Sequence, residues 1–300
     1  MAYNFFHKKE LIHNVAVYKK LGISKKYYAS VSSKDFEHIK EKNLPIHNFE
    51  NKIKSTSIFL SATVDTKQSI LDYEKEGYIV LKNYFQKNQM DDAIAEVNRL
   101  LQENKIEYKK TNRIMFAIHK STLLRQLGED KALRELLDIL IGGKAKLFQS
   151  INFTMGSEQD THSDSIHMTT FPLGGLLGVW IALEDIEEDN GPLHYYPKSH
   201  KLPYYLNSDY DNEGNALMLG KKDYDEYENM IAEKLKSQQL EKKIFTAKKG
   251  DVLIWHANLL HGGEPHSNKS KTRNSMVFHF YNPNCVCYHE ITQRPALMPL

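Results

Sequence analysis

The chain has 300 residues and a formal net charge of +2, with 41% hydrophobic and 26% charged residues, a balance typical of globular proteins. The near-zero charge argues against a nucleic-acid-binding protein, which needs a strongly basic face. No apolar run approaches the length of a membrane-spanning helix, and the first residues lack the continuous apolar core of a signal peptide.

The first part of the chain is predicted to supply packing elements rather than a site. Residues 1–65 are polar, lysine-rich and without a recognisable motif, and we interpret them as an N-terminal extension packed on a barrel. Helices are predicted over residues 68–76, 86–104 and 131–141, because apolar residues recur there at helical spacing. The β-forming residues 77–81 predict a short strand.

Downstream of residue 143 the chain changes to short strands and turns. Strands are predicted over residues 146–155, 162–164, 179–183, 193–196, 251–255 and 276–281. Residues 203–240 interrupt them with a loop and a charged helix over 223–239, which we interpret as a lid. Many short strands with one long insertion favour a single domain over residues 66–300. Its predicted class is mainly β with helical additions (α+β), a double-stranded β-helix (jelly-roll, cupin-like) barrel with packing helices.

The two cysteines give an indication of the compartment. Cys285 and Cys287 are separated by one residue, which is too close for an ordinary disulfide, and two cysteines are too few for a zinc site of the usual kind. We interpret both as free thiols in a reducing compartment and predict a cytoplasmic protein.

One short motif is a candidate for metal binding. His162, Ser163 and Asp164 form a His-x-Asp sequence. If the segment is a strand, alternate side chains share a face, so His162 and Asp164 point the same way. The pair is then able to bind one metal ion from one side, with a third ligand coming from elsewhere in the fold.

A second stretch, residues 250–263, reads GDVLIWHANLLHGG and offers two further imidazoles, His256 and His261. Two histidines and one carboxylate are the donor set of non-haem Fe(II) oxygenases, and they leave three positions for a bidentate 2-oxoacid and dioxygen. Arg273 follows this stretch. An arginine is suited to anchor the far carboxylate of a dicarboxylate co-substrate.

Further motifs lie between the two stretches. They are Trp180-Ile181-Ala182-Leu183-Glu184-Asp185, Asp189-Asn190-Gly191-Pro192-Leu193 and Pro197-Lys198-Ser199-His200. Taken in this order, the motifs make the chain resemble the phytanoyl-CoA dioxygenase-like branch of the Fe(II)/2-oxoglutarate oxygenases. The resemblance is clearest over residues 146–281 and fainter over 71–101. The sequence departs from the family at Lys198, where glycine is often found.

The resemblance implies a role for each candidate site residue. His162, Asp164 and His261 match the metal ligands, and His261 is preferred to His256 because Arg273 follows it at the family's interval. Arg273 is expected to hold 2-oxoglutarate. The other implied co-substrate contacts are a hydroxyl from Ser275, a wall formed by Trp180, and weaker polar contacts from Gln149 and Asn152. Other histidines able to enter the site are predicted to be structural: His167, His194, His200, His266 and His279.

The implied activity is hydroxylation of an unactivated C–H bond in a small organic substrate. Fe(II), 2-oxoglutarate and dioxygen are the implied cofactor and co-substrates, and succinate and carbon dioxide are the co-products. Halogenating relatives lack the acidic ligand, so the presence of Asp164 favours hydroxylation. Two alternatives stay open: a cupin-like metal enzyme that does not use 2-oxoglutarate, such as an isomerase, and a binding module without turnover. The sequence indicates neither the substrate class nor the oligomeric state.

Overall fold

A computed structural model of the chain describes residues 2–40, 43–44, 49–109, 112–214 and 218–298. The strands in these residues are β1 (Tyr78–Leu81), β2 (Arg113–Met115), β3 (Lys146–Phe153), β4 (Thr169–Phe171), β5 (Leu176–Ala182), β6 (Leu193–Tyr195), β7 (Lys243–Phe245), β8 (Val252–His256), β9 (His261–Gly263), β10 (Ser275–Tyr281), β11 (Val286–His289) and β12 (Arg294–Pro295). The helices are α1 (Ala2–Phe5), α2 (Lys8–Leu11), α3 (His13–Lys20), α4 (Phe49–Lys54), α5 (Ser57–Ser61), α6 (Val64–Leu71), α7 (Tyr73–Glu76), α8 (Lys87–Gln102), α9 (Thr122–Gly128), α10 (Lys131–Leu140), α11 (Asp164–His167) and α12 (Tyr224–Gln238). Short 3-10 turns cover Ser33–Phe36, Ala117–His119, Ser199–Lys201 and Asn207–Tyr210.

The strands form two layers. The larger layer is a six-stranded sheet in the order β1–β8–β5–β10–β3–β2, in which neighbouring strands are antiparallel. The opposite layer consists of two three-stranded sheets, β7–β6–β9 and β4–β11–β12, also antiparallel. Antiparallel sheets in two layers, with helices packed outside, are the jelly-roll barrel and the α+β class that the sequence predicts.

The six-stranded sheet has one face on the helices and one on the barrel interior. Along β5, Leu177, Val179 and Ile181 join the large core formed with the helices, while Trp180 and Ala182 face inward. This alternation is the two-residue period of a strand buried on both faces. Burial of each such aliphatic side chain stabilises the fold by roughly 1.5–3 kcal/mol.

Helix α10 is the clearest of the packing helices. Its buried residues are Leu133, Leu136, Leu137 and Leu140, which recur at the spacing that lines one helical face. Asp130 caps its N-terminus by accepting the Leu133 N–H at 2.9 Å. The predicted helices over 86–104 and 131–141 are thus confirmed, whereas the one over 68–76 is divided into α6 and α7.

The predicted strand at the His-x-Asp motif is wrong. His162 makes a single antiparallel bridge to His261, and helix α11 starts at Asp164. Ser163 is extended and precedes this helical turn, a position where serine is favoured because its side chain competes for backbone hydrogen bonds. A bridge followed by a helical turn, rather than strand alternation, therefore orients His162 and Asp164.

The segment before residue 65 packs on the barrel at two places. The ring of Phe36 stacks on that of Phe171 with centroids 4.2 Å apart, beside buried Tyr18. Helices α4 and α5 contact α10. The boundary at residue 65 stays a prediction. In the described residues, no helix is both long and apolar enough to cross a membrane.

Candidate active site

Three side chains meet at one end of the barrel interior. His162, Asp164 and His261 each offer a ligand atom, and these atoms lie within 4.8 Å of one another. The backbones of His162 and His261 exchange two hydrogen bonds of 2.9 Å, N–H to carbonyl in both directions. This bridge places the imidazoles side by side, and Asp164 Oδ1 lies 3.7 Å from His261 Nε2.

Both imidazoles are oriented by backbone carbonyls. Nδ1 of His162 lies 2.8 Å from the Asp160 carbonyl oxygen, and Nδ1 of His261 lies 2.9 Å from that of Leu259. Because a carbonyl oxygen only accepts, each Nδ1 carries the proton and each Nε2 has a free lone pair. Burial and the neighbouring His261 hold the pKa of His162 well below its ordinary value, so this imidazole is neutral, as a metal ligand must be.

Asp164 is supported by two inward-facing residues. Trp255 Nε1 donates to Asp164 Oδ2 at 2.7 Å, and His279 Nε2 lies 3.6 Å from the same oxygen. Burial alone raises the pKa of Asp164, but His261 and His279 outweigh it and the net pKa is below the usual range. The indole of Trp255 fits because residue 178 is glycine: a Cβ at Gly178 would lie 2.3 Å from Trp255 Cε2.

The donor set fits Fe(II). Two imidazoles and a carboxylate, all buried, are the ligand types of the facial iron site, and each imidazole is held by a hydrogen bond from the nitrogen that faces away from the other ligands. Within the described residues this is the group of histidine, cysteine and carboxylate side chains able to hold a metal ion. The site also fits a dicarboxylate, as the surroundings of Arg273 show.

His256 lies elsewhere. It follows Trp255 on β8 and points to the opposite face of the sheet, where its ring centroid is 5.5 Å from that of His200. Burial and His200 lower the pKa of His256 to about 3. The structure therefore brings His261, and not His256, to the donor set.

Arg273 is a buried cation in the wall of the same cavity, with 1% of its surface exposed. Its Nε donates to the Gly191 carbonyl at 3.0 Å, and Nη1 donates to Ser275 Oγ. Nη2 is buried and has no hydrogen-bond partner among the described residues. The guanidinium carbon lies 5.1 Å from the ring centroid of Trp180, a cation–π contact.

The charge of Arg273 persists at neutral pH. Burial lowers its pKa to about 10, with Glu184 acting in the opposite direction. A buried cation with an unpaired N–H is costly unless an anion completes it. Arg273 is therefore suited to bind a carboxylate, with Ser275 holding the guanidinium rather than lining the cavity itself.

The cavity has a volume of about 260 Å³. Besides the donor set, Trp180 and Arg273, it is lined by Arg113, Met115, Gln149, Ile151, Phe153, Ser157, Gln159, His167, Met168, Leu193, Trp255, Gly262, Val277, His279 and His289. Of the predicted polar contacts on β3, Gln149 lines this cavity. Asn152 does not, and its buried side-chain atoms have no hydrogen-bond partner in the described part of the chain. Residues three apart in a strand face opposite sides, so alternation along β3 separates the two.

Several lining residues are not predicted from the sequence. His167 and His279 were expected to be structural, yet both line the cavity. Alternation along β8 was the available signal for Trp255, because it must face opposite to His256. Arg113 carried no signal, since a strand of three residues has no readable period.

Known proteins similar to this chain point to the same chemistry. A family model described as phytanoyl-CoA dioxygenase (PhyH) matches residues 73–275. The chain belongs to this family. An ectoine dioxygenase of Bordetella bronchiseptica is 26% identical over 230 residues, covering 71% of this chain and 74% of that protein. A phytanoyl-CoA dioxygenase domain-containing protein 1 homolog of Dictyostelium discoideum is 21% identical over 271 residues, covering 72% and 90%.

Solved structures share the fold. EctD from S. alaskensis with 2-oxoglutarate and 5-hydroxyectoine has a TM-score of 0.57 at 18% identity, covering 86% of this chain and 87% of that one. The non-heme alpha ketoglutarate dependent carbocyclase SnoK from nogalamycin biosynthesis has a TM-score of 0.61 at 16% identity, covering 81% and 94%. The jelly-roll prediction is confirmed, and with it the enzyme class: the family member described here is an Fe(II)- and 2-oxoglutarate-dependent oxygenase.

Proposed function

We propose that this oxygenase hydroxylates an unactivated C–H bond of a small organic substrate and releases succinate and carbon dioxide. The observation that carries the proposal is Nη2 of buried Arg273, which has no partner among the residues that the structure describes and lies in the wall of the cavity that also contains His162, Asp164 and His261. Iron held by these three ligands supplies the oxidising chemistry together with dioxygen and 2-oxoglutarate.

The residues of the chain divide the remaining work. The hydrogen bond from Trp255 holds the Asp164 carboxylate in place, and backbone carbonyls hold the two imidazoles. Arg273 orients the far carboxylate of 2-oxoglutarate through a charge-assisted pair. Apolar side chains on the same walls, among them Ile151 and Val277, exclude water from the reacting centre.

Two other functions compete with hydroxylation on this fold. One is a cupin-like metal enzyme that does not use 2-oxoglutarate, such as an isomerase, and the other is a binding module without turnover. Neither requires a buried cation for an internal carboxylate, so the state of Arg273 favours the 2-oxoglutarate-dependent function. The non-heme alpha ketoglutarate dependent epimerase SnoN from nogalamycin biosynthesis also shares the fold, at 18% identity and a TM-score of 0.54.

The test proceeds in two steps. Fe(II) and 2-oxoglutarate are added without oxygen, and a visible charge-transfer band is expected; its absence overturns the 2-oxoglutarate-dependent function. A library of small organic compounds is then screened for succinate release above the uncoupled background. Mass spectrometry of the product distinguishes the reactions, because hydroxylation adds one oxygen atom whereas epimerisation leaves the mass unchanged.

We propose that the insertion over residues 203–240 is a lid. Its helix α12 contacts the His-x-Asp motif directly: the Ser163 N–H donates to Tyr227 Oη at 3.2 Å. The ring of Tyr224 lies 4.9 Å from that of His167, which lines the cavity. Hydrogen exchange in α12 is expected to slow when a substrate found in the library binds, with α10 as the internal control. Equal exchange with and without substrate contradicts a lid.

We also propose a reducing, cytoplasmic location for the protein. Cys285 and Cys287 are both free and buried. Burial raises the pKa of the Cys285 thiol to about 12, so it stays protonated and unreactive. Cell fractionation followed by thiol labelling of the denatured protein tests the proposal, with two free thiols in the cytosolic fraction as the expected result.

A further inference from the structure

A second guanidinium, that of half-buried Arg113, lines the cavity. Arg113 lies on β2, the edge strand of the six-stranded sheet, opposite Phe153 of β3. Its Nη2 donates to Gln159 Oε1, and its Nε is buried with no hydrogen-bond partner among the described residues. In the part of the chain that the structure describes, no carboxylate oxygen lies within 4.0 Å of it. Arg113 is thus a half-buried cation that makes no ion pair with a carboxylate of the described residues, although Asp164 acts on it from a greater distance.

Three further polar residues accompany this cation, and we call the four residues the polar wall: Arg113, Gln159, His167 and His289. Gln159 Nε2 lies 3.3 Å from His167 Nε2, and His289 Nδ1 lies 3.0 Å from the His167 carbonyl oxygen. Arg113 is the member of the polar wall with a permanent positive charge, because a guanidinium is not deprotonated in proteins.

The charged lining residues of the cavity are Asp164, Arg273 and Arg113. Glu184 acts electrostatically on Arg273, and Asp164 acts on Arg113 from a distance greater than that of an ion pair. The Arg113 guanidinium thus keeps a buried N–H donor without a partner among the described residues, and such a donor is costly. A carboxylate on the remaining occupant of the cavity is the acceptor that would satisfy it most strongly.

The two guanidiniums are held by different partners, that of Arg113 by Gln159 and that of Arg273 by Gly191 and Ser275. Phe153 of β3 pairs with Arg113 of β2 on one side and with Ser275 of β10 on the other. Arg113 is thus about two strand spacings, roughly 10 Å, from the backbone of the residue that holds Arg273. Its free Nε is therefore available to a second anion while Arg273 binds 2-oxoglutarate.

We propose that Arg113 recognises a carboxylate on the primary substrate, so that the substrate class is a small carboxylic acid. This inference rests on the proposed function, since it assumes that 2-oxoglutarate occupies the Arg273 side. Guanidinium nitrogens match a carboxylate in geometry and charge, and Gln159 holds the guanidinium by one of its N–H groups. Arg113 is thereby a specificity-determining residue and does not itself bind iron.

The test uses the anaerobic protein loaded with Fe(II) and saturating 2-oxoglutarate. The probes are small carboxylic acids, each paired with its neutral primary amide, and the readout is the perturbation of the charge-transfer band as each compound is added. Arg113→Gln removes the charge and Arg113→Lys retains it without the planar fork. Arg99→Gln is the matched control, because Arg99 lies on the surface of α8 and pairs there with Glu96 and Glu103.

The acids that bind are expected to bind the unaltered protein at least about tenfold more tightly than their amides, a difference of about 1.4 kcal/mol. Arg113→Gln should bring this ratio close to one, Arg113→Lys should keep part of it, and Arg99→Gln should keep all of it. The inference is overturned if the acid-to-amide affinity ratio is unchanged in Arg113→Gln, or if the unaltered protein prefers none of the acids to its amide. In either case, a normal charge-transfer band with Fe(II) and 2-oxoglutarate leaves the proposed function intact.

Two further results distinguish a wrong substrate inference from a wrong proposed function. If Arg113→Gln weakens the binding of 2-oxoglutarate itself as much as Arg273→Ala does, Arg113 belongs to the co-substrate subsite and the substrate inference is wrong. If the unaltered protein gives no band with Fe(II) and 2-oxoglutarate, the proposed function is wrong and the inference that rests on it is wrong as well.

Discussion

Replacing Arg273 by alanine tests the co-substrate site most directly. In the folded protein the guanidinium is already desolvated, with 1% of its surface exposed, and two of its nitrogens are held by Gly191 and Ser275. Its desolvation and side-chain ordering are therefore complete before 2-oxoglutarate binds. A carboxylate that reaches Nη2 gains the charge-assisted pair without that preparatory cost.

The magnitude follows from this preorganisation. Truncating one partner of a buried, hydrogen-bonded charge pair typically costs about 2–5 kcal/mol. The lower end applies here because the space left by the side chain is able to admit water, and it corresponds to a rise of about thirtyfold in the KM for 2-oxoglutarate. Arg273→Lys should recover part of the loss, since an ammonium is a point charge without the planar fork.

Succinate release is measured against 2-oxoglutarate concentration in the unaltered protein, Arg273→Ala and Arg273→Lys, with iron content determined in the same samples. Ser275→Ala is the matched control, because it removes a hydrogen-bond acceptor of the guanidinium and leaves its charge. A modest KM increase is expected for that variant. An unchanged KM in iron-loaded Arg273→Ala refutes the reasoning and reopens the isomerase alternative.

Three further predictions concern the metal centre and the strand beside it. His261→Ala should lose most of its bound iron with an unchanged circular dichroism spectrum, whereas His256→Ala should keep its iron. The reverse pattern would show that His256, and not His261, is the third metal ligand. Trp255→Phe removes the N–H donated to Asp164, so iron affinity should fall by roughly tenfold or more in a metal titration. An unchanged affinity would show that this hydrogen bond does not help Asp164 to bind the metal. Because the folded pKa of His256 is about 3, below its unfolded value, the unfolded chain takes up a proton as pH falls from about 6.5 towards 3 and stability is lost over that window. Urea unfolding at several pH values should show that the free energy of unfolding falls less steeply with decreasing pH in His256→Gln than in the unaltered protein. An identical pH dependence would contradict the low pKa of folded His256.

The sequence predicted the parts of the site that depend on local spacing. His162 and Asp164 are two residues apart, and the backbone of either a strand or a tight turn keeps such residues close. His261 is far away in the sequence, and the resemblance to the family identified it because Arg273 follows at a fixed interval. The structure adds the physical link, a two-way backbone bridge between His162 and His261 that joins the distant segments.

What the sequence did not predict depends on which face of a strand a residue occupies. Gln149 and Asn152 were given the same role although alternation along β3 places them on opposite faces. The His-x-Asp segment was assigned to a strand because hydrophobic periodicity does not detect a four-residue helix such as α11. The two-residue period of a strand is enough to separate Gln149 from Asn152, whereas the conformation at Asp164 depends on the bridge from His162 to His261, which a window of a few residues does not contain.

Arg113 shows why substrate recognition is harder to predict than metal binding. The metal ligands are tied to one another by the bridge and by carbonyls, so changing one disturbs the others. Arg113 instead lies on β2, which pairs with the strand β3 on one side and makes only a single bridge, from Ile114 to Tyr108, on the other. A substitution on such an edge alters the cavity wall without breaking a sheet on both sides. A family that keeps its iron site while changing substrates is therefore expected to vary at this position, and an arginine here is informative about this chain's own substrate.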